Sequence, residues 1–526
     1  MMHANILPTN QDDQLISLMK SLTKAEKRNF KLYVNRLQSK SDVKFVQLFD
    51  VVDKLDSWND VVILKKLPSI KKAQLANLKR HLYKQILISL RLIHIHKNVD
   101  IQIREQIDFA KILYGKGLYI QSLKLLERIR VIAQDNHQDL LLLDILEFQK
   151  VIEERHITRS RQTANKVESL IQASEEQSKI ISNSSKLTNL KIEIHGFYIQ
   201  YGHVKNDKDV KVVRELFSKR LKDIELEGLT FYEKVYLHQC YVWYYYTLLN
   251  FKKCLADAIK WTDIFEQNPS MKREEPDLYM RGVHYELTCL YNLKKVTKFN
   301  EVLSHLENFN DFMGEEMKTV SKILYFLYFS TAKLNKHRLE GSFDEGIEHV
   351  PEIIDKINEY ETHLDPHRIL VLYYKIAFQF FGKGDYNTML DYINKIINLE
   401  FGQLREDLQG YARLLQLIGH YELENYELLE YLAPSTYRFL EKMKELNVMQ
   451  TETLKFLKKL IKTRNVGHRE LFISFRDKLT KLENDPHSIR ALVYLDLIPW
   501  VESKIQKRSI QSIIQESKDS LDQSDR

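Results

Sequence analysis

At 526 residues the chain is too long for one compact core, since such cores stop growing near ~250–300 residues; several domains or a repeat array are expected. Gly and Pro number only 15 and 9, scarce against roughly 12% in average usage, which argues against a turn-rich sheet protein and for long helices with short connections. The net charge is +7, with +9 in residues 1–100 and −2 in the remainder, so any affinity for an acidic partner such as nucleic acid belongs to the N-terminal segment.

Residues 1–100 read as a basic helical cap domain. Thr23-Lys24-Ala25-Glu26 has the spacing of a capping box, in which each side chain satisfies the other's free backbone N–H. It opens a helix expected to bury Phe30, Leu32, Tyr33 and Leu37. A further helix spans about 43–56, with Phe45, Leu48, Phe49 and Val52 on one side. After Pro68, Leu75, Leu78, Leu82 and Ile86 recur at three- and four-residue steps, the signature of one helix face. Lys72, Lys79, Arg80, Lys84 and Arg91 fall mostly on the other side. They are the candidate nucleic-acid contacts; a solvated basic face is the alternative reading.

A different organisation starts near residue 101 and runs to about 440. Over 109–119 a helix reaches Gly115-Lys116-Gly117, an aromatic follows at Tyr119, and Ser122, Leu126 and Ile129 continue a second helix. The pattern returns over 373–396, with Ala377 and Phe380, then Gly384-Asp385-Tyr386, then Met389, Ile393 and Ile396. Similar frames place the apolar residue after the turn at Phe251, Val296, Phe343 and Tyr426. Two more degenerate pairs are expected between about 150 and 235.

This pattern resembles the tetratricopeptide repeat. The resemblance implies an all-α fold, an α-solenoid of antiparallel helix pairs in which each pair covers the apolar face of the next. It also implies that Ala110 is the small residue allowing close approach and that Tyr119 and Ser122 follow the turn. The spacing is longer than the family's usual 34 residues, and Cys254 and Phe299 stand where the family prefers a small side chain. Ser21-Leu22-Thr23-Lys24-Ala25-Glu26-Lys27-Arg28-Asn29-Phe30, residues 113–126 and Ile498-Pro499-Trp500-Val501-Glu502-Ser503-Lys504-Ile505 also look like a wider set of tetratricopeptide-like proteins of Bacteroidota-type bacteria. Those motifs are structural and imply no activity.

Residues 441–506 are expected to close the array as a C-terminal helical cap, through Leu454, Leu457, Leu460, Ile461, Tyr494 and Trp500. Residues 507–526 are polar and expected to fray.

Gly115-Lys116-Gly117 and Gly382-Lys383-Gly384 lack the upstream glycine and the hydroxyl of a phosphate loop and read as turns. His94-Ile95-His96 would splay on a helix and is a poor metal pair. Neither a Ser-elbow nor a Cys–His motif is present. Cys240, Cys254 and Cys289 form no CxxC pair, which fits a reducing compartment. No basic-then-apolar leader opens the chain, and its most apolar stretch, 241–249, falls far short of the ~18 residues a membrane span needs. A cytoplasmic protein without cofactor, metal or catalytic residues is the expectation.

In the family the first helix of each pair lines the concave side. Projected here, that side carries Arg104 and Tyr114, then Trp243 and Tyr246, then His284 and Tyr291, then Tyr374, Phe378 and Phe381. The run Tyr241-Val242-Trp243-Tyr244-Tyr245-Tyr246 is either packed between neighbours or presents rings to a partner. The expected function is a non-catalytic protein-interaction scaffold binding a peptide or helix there. Nucleic-acid binding or regulation through the basic N-terminal helices is the alternative.

Overall fold

The computed structural model of the protein describes residues 14–37, 42–95, 98–160, 165–314, 317–398, 405–443, 447–463, 468–483 and 489–524. His96 and the Leu37 side chain fall outside them. Among the described residues every regular element is helical, and no helix is long and apolar enough to cross a membrane. The chain divides into two compact units, Met1–Ile181 and Ser182–Arg526, so the boundary falls well after residue 100. A single helix of 36 residues, Lys166–Tyr201, contains it, in place of one of the two hairpins expected between 150 and 235.

In the first unit the capping box forms as its spacing predicts. The Thr23 N–H donates to Glu26 Oε2 at 2.8 Å and the Glu26 N–H donates to Thr23 Oγ1 at 3.2 Å, starting the helix Lys24–Leu37. Phe30, Phe45, Leu48, Phe49 and Val52 are buried against Leu75, Leu82 and Ile86 of the helix Lys72–His94. Leu32 is exposed instead of buried. It lies two residues from Phe30, about 200° around the helix.

The repeat frames coincide with helix starts. Tyr119, Phe251, Val296, Phe343, Tyr386 and Tyr426 are each the first residue of a helix. Two residues before each of them stands a residue with positive φ: Gly117, Leu249, Lys294, Gly341, Gly384 and Glu424, with φ from 54° to 89°. The next residue donates its N–H to a carbonyl five residues back, as in Leu118 to Leu113 (3.0 Å), Asn250 to Tyr245 (2.9 Å), Lys295 to Leu290 (3.0 Å) and Asp385 to Phe380 (2.9 Å). This bond defines the Schellman stop, which closes the first helix and turns the chain into the second. The two Gly-Lys-Gly segments are therefore helix terminators.

The second unit stacks such pairs in chain order. Its first helices are Phe231–Thr247, Pro276–Asn292, Thr319–Glu340, Pro366–Lys383 and Glu406–Glu422, named below by their first residues. The second helix Phe251–Glu266 packs on both the Phe231 and Pro276 helices, and the Pro276, Thr319 and Pro366 helices pack in succession. Small groups set these distances. Ser122 Oγ donates to the Ala110 carbonyl at 2.8 Å in the first unit, and Cys254 Sγ donates to the Val242 carbonyl at 3.4 Å in the second, so the cysteine does the serine's work. A Cβ on Gly382 would collide with the ring of Phe343, and one on Gly419 with Met389.

The C-terminal segment differs from its polar composition. Ile510–Ser524 is a helix that packs on the Thr319 and Pro366 helices, with Ile510 and Ile513 buried. Ile510, Ile513 and Ile514 fall at three- and four-residue steps, enough for a narrow apolar stripe. Trp500 is fully buried and its indole N–H donates to Glu422 Oε1 at 2.6 Å.

The turns make a test. Gly384 has φ 89° and open space around its absent Cβ, so Gly384→Ala should cost only the left-handed backbone penalty, about 1–2 kcal/mol. Glu424 holds φ 57° with a side chain, and Glu424→Gly should gain about 1 kcal/mol. Urea unfolding followed by helix circular dichroism should move the midpoint down for the first and up for the second. Shifts of the same sign would contradict the shared turn.

Candidate functional site

The residues singled out by sequence separate into distinct environments. Arg104 is exposed and Tyr114 half-buried in the first unit, where the Tyr114 ring packs 5.3 Å from Tyr119 and 5.6 Å from Phe148 and its hydroxyl accepts from Arg155 Nη1 at 3.1 Å. On the basic helix, Lys72, Arg80, Lys84 and Arg91 are exposed, while the Lys79 ammonium sits 4.1 Å from the Trp58 ring centre. His94 lies 3.5 Å from Glu26.

In the second unit the first helices surround a hollow of about 200 Å³. Trp243 and Tyr246 reach it from the Phe231 helix, His284 and Tyr291 from the Pro276 helix, and Arg338 from the Thr319 helix. The Pro366 helix contributes Arg368, Tyr374 and Lys375. Five of the nine projected positions thus converge on one space. Phe378 and Phe381 do not. They are buried in the core and border a separate, apolar hollow of about 760 Å³ beside the C-terminal helices.

The aromatic run divides between two sides of its helix. Tyr241 and Tyr244 pack on Phe217, the latter stacked at 4.1 Å. Trp243 and Tyr246 turn toward the hollow, where Trp243 lies 4.2 Å from His195 and 5.4 Å from Tyr285. The Tyr246 carbonyl lies 2.8 Å from His203 Nδ1. His284 stacks on Tyr328 at 4.1 Å, and the Tyr374 hydroxyl donates to the Tyr494 carbonyl at 3.1 Å.

Charge is the feature that sequence reasoning missed. Arg405 is buried and paired bidentately with Asp407, at 2.9 and 3.2 Å. The Lys375 ammonium donates to Asn335 Oδ1 at 2.6 Å and lies 5.5 Å from the Tyr291 ring centre. Arg338 lies over Phe378 at 3.8 Å, and Arg368 is 6.0 Å from the ring centre of Tyr328. Among the described residues no carboxylate comes within ion-pair distance of Arg338, Arg368 or Lys375. Burial, with Arg338 adding repulsion, pushes the Lys375 ammonium down to about 7. Burial and then Arg368, Lys375 and Arg281 hold His284 well below its usual value. Burial, Arg405 and Arg368 push His367 down to about 3, and its Nδ1 has no hydrogen-bond partner. His284 and His367 are therefore neutral near pH 7, and the fixed charge there is guanidinium.

No protein-family profile, curated protein or solved structure matches the chain. Its chemistry has to be read from the site itself. Burial pushes the thiol of Cys240 up to about 12 and that of Cys254 well above its ordinary value, which leaves no thiolate nucleophile at either position near neutral pH. Among the described residues no three His, Cys, Asp or Glu side chains are grouped to hold a metal ion. The hollow offers rings for stacking and cations for an oxyanion.

The cations were detectable in part. Lys375 interrupts the apolar run 369–378 of its helix. Arg338, Arg368, Arg405, His195 and His367 follow no motif; only the stacking of helices brings them together.

The depressed histidines set an acid dependence. In the unfolded chain they take up a proton near 6.5, in the folded protein only far lower. The unfolded state therefore binds more protons, and stability falls as pH drops from 6.5 toward about 3. Glu286, which burial raises to about 7, opposes this between 4.5 and 7. The melting temperature should be lower at pH 5 than at pH 7.5, and a His284→Gln, His367→Gln double variant should narrow the gap. An unchanged gap would contradict the assignment.

Proposed function

We propose that the second unit is a tetratricopeptide-like α-solenoid that holds a peptide or helix of a protein partner on the concave side built by its first helices, and that it catalyses no reaction. The observation that carries this reading is the convergence of inner positions from four successive first helices, through Trp243, Tyr246, His284, Tyr291, Arg338 and Lys375, on one hollow. Tyr and Trp are suited to such a wall because they supply large rigid contact area at low entropy cost. A groove between stacked helices receives an extended or helical segment by laying side chains into successive gaps. Three free cysteines, all buried, accord with a reducing, cytoplasmic setting.

Site-directed photo-crosslinking tests it. Benzoylphenylalanine placed at Ile199 or Thr331, which border the hollow, should trap the same partner protein in the native host. The probe at Ile259, exposed on the Phe251–Glu266 helix, should not. Trapping from Ile259 alone, or equally from all three, would defeat the reading.

A further inference from the structure

We propose that the hollow of the second unit is an oxyanion site, which takes a carboxylate or phosphate group on a side chain of the bound peptide between Arg368, Lys375 and Arg338. This rests on the peptide-binding reading and names the chemistry that reading leaves open.

The first argument is charge balance. Four cationic side chains border the hollow, and among the described residues Asp407 is the one carboxylate paired with any of them, engaged by Arg405. An uncompensated charge away from water is costly. Lysine can escape by losing its proton, and burial brings Lys375 to the edge of doing so. Arginine cannot. Arg338 finds partial relief over the ring of Phe378 at 3.8 Å, whereas Arg368 has only Tyr328 at 6.0 Å. Two half-buried guanidinium groups thus face the hollow with no counterion among the described residues, and the hollow is where a counterion fits.

The second argument is geometry. Arg368 and Lys375 are seven residues apart on the Pro366 helix, so they share a face about 10 Å apart along the axis. Their side chains are long enough to close on one group between them. His284, which borders the same hollow from the Pro276 helix, feels both cations. The His367 Nδ1 adds a polar atom without a partner at the same wall. Guanidinium groups present paired N–H donors that match carboxylate and phosphate alike.

The third argument is size. About 200 Å³ is below the ~300–1,000 Å³ of ordinary small-molecule pockets. A nucleotide would not be enclosed. The end of a glutamate or a phosphorylated side chain would be, with the aromatic wall of Trp243 and Tyr246 flanking it.

The test uses the full chain and defined probes. Sodium phosphate and sodium glutarate are titrated by calorimetry and by thermal shift against sodium chloride at equal ionic strength. Saturable binding and stabilisation beyond chloride are expected from at least one of the two, weakened at least tenfold in Arg368→Gln and in Lys375→Gln. Because each substitution removes a half-buried charge that has no ion-pair partner among the described residues, both variants should fold and melt no lower than the parent without ligand; lower melting of both would count against the charge imbalance itself. Preference for glutarate assigns an acidic side chain, preference for phosphate a phosphorylated one. Neither anion acting beyond chloride, or both variants binding as tightly as the parent, would overturn the site. Anion binding without crosslinks from Ile199 or Thr331 would remove the peptide reading and leave the oxyanion site standing; crosslinks without anion binding would do the reverse.

Discussion

The left-handed residue two places before each second helix is the constraint on which the rest depends. It ends the first helix with one backbone bond, from the following N–H to a carbonyl five residues back, and the second helix begins two residues on. Because the same stop recurs at Gly117, Leu249, Lys294, Gly341, Gly384 and Glu424, every pair presents equivalent positions to equivalent sides. Close contacts through Ser122, Cys254, Gly382 and Gly419 then fix how near neighbouring helices lie. In the second unit the Pro276, Thr319 and Pro366 helices pack in succession on this pattern. Three of the six stops use a residue other than glycine, a local cost of order 1 kcal/mol each that packing of the stack outweighs.

The same arrangement creates the imbalance of charge. Stacking brings Arg338, Arg368 and Lys375 from two adjacent helices to one hollow, while the one carboxylate of those helices, Glu340, is engaged by Asn300 and Lys518. In an isolated helix each cation would be solvated and unremarked. Enclosure is what lowers Lys375 toward 7 and keeps His284 and His367 neutral. Stability and recognition therefore draw on the same residues in opposite directions. A site that repels its own cations until an anion arrives trades resting stability for selectivity, as a preorganised electrostatic site does.

Much of the fold was legible from residue spacing, because turn and packing signals are local. Thr23 and Glu26 announced a helix start, and the aromatic or aliphatic residue after each turn announced the second helix at six places. Local signals also failed in local ways. Leu32 is apolar yet sits on the wet side of its helix, and the isoleucines of 510–514 were hidden among Ser, Gln and Asp. The long helix Lys166–Tyr201 carries no internal stop, so the two pairs expected around it could not be delimited. For the site, Trp243, Tyr246, His284, Tyr291 and Tyr374 were reachable by projecting repeat positions. Phe378 and Phe381 were projected to the same wall but lie one and two turns further along, in the core. The guanidinium groups were out of reach, since nothing in a single helix tells which cations will meet across a stack.

The most direct measurement is anomalous diffraction from crystals of the protein soaked in tungstate, an oxyanion that can be located without ambiguity. The account predicts a peak inside the hollow, bracketed by Arg368 and Lys375, with the Pro276, Thr319 and Pro366 helices standing apart around it. A hollow closed by those helices, or Arg338 and Arg368 found against carboxylates of the chain with no anion between them, would contradict it.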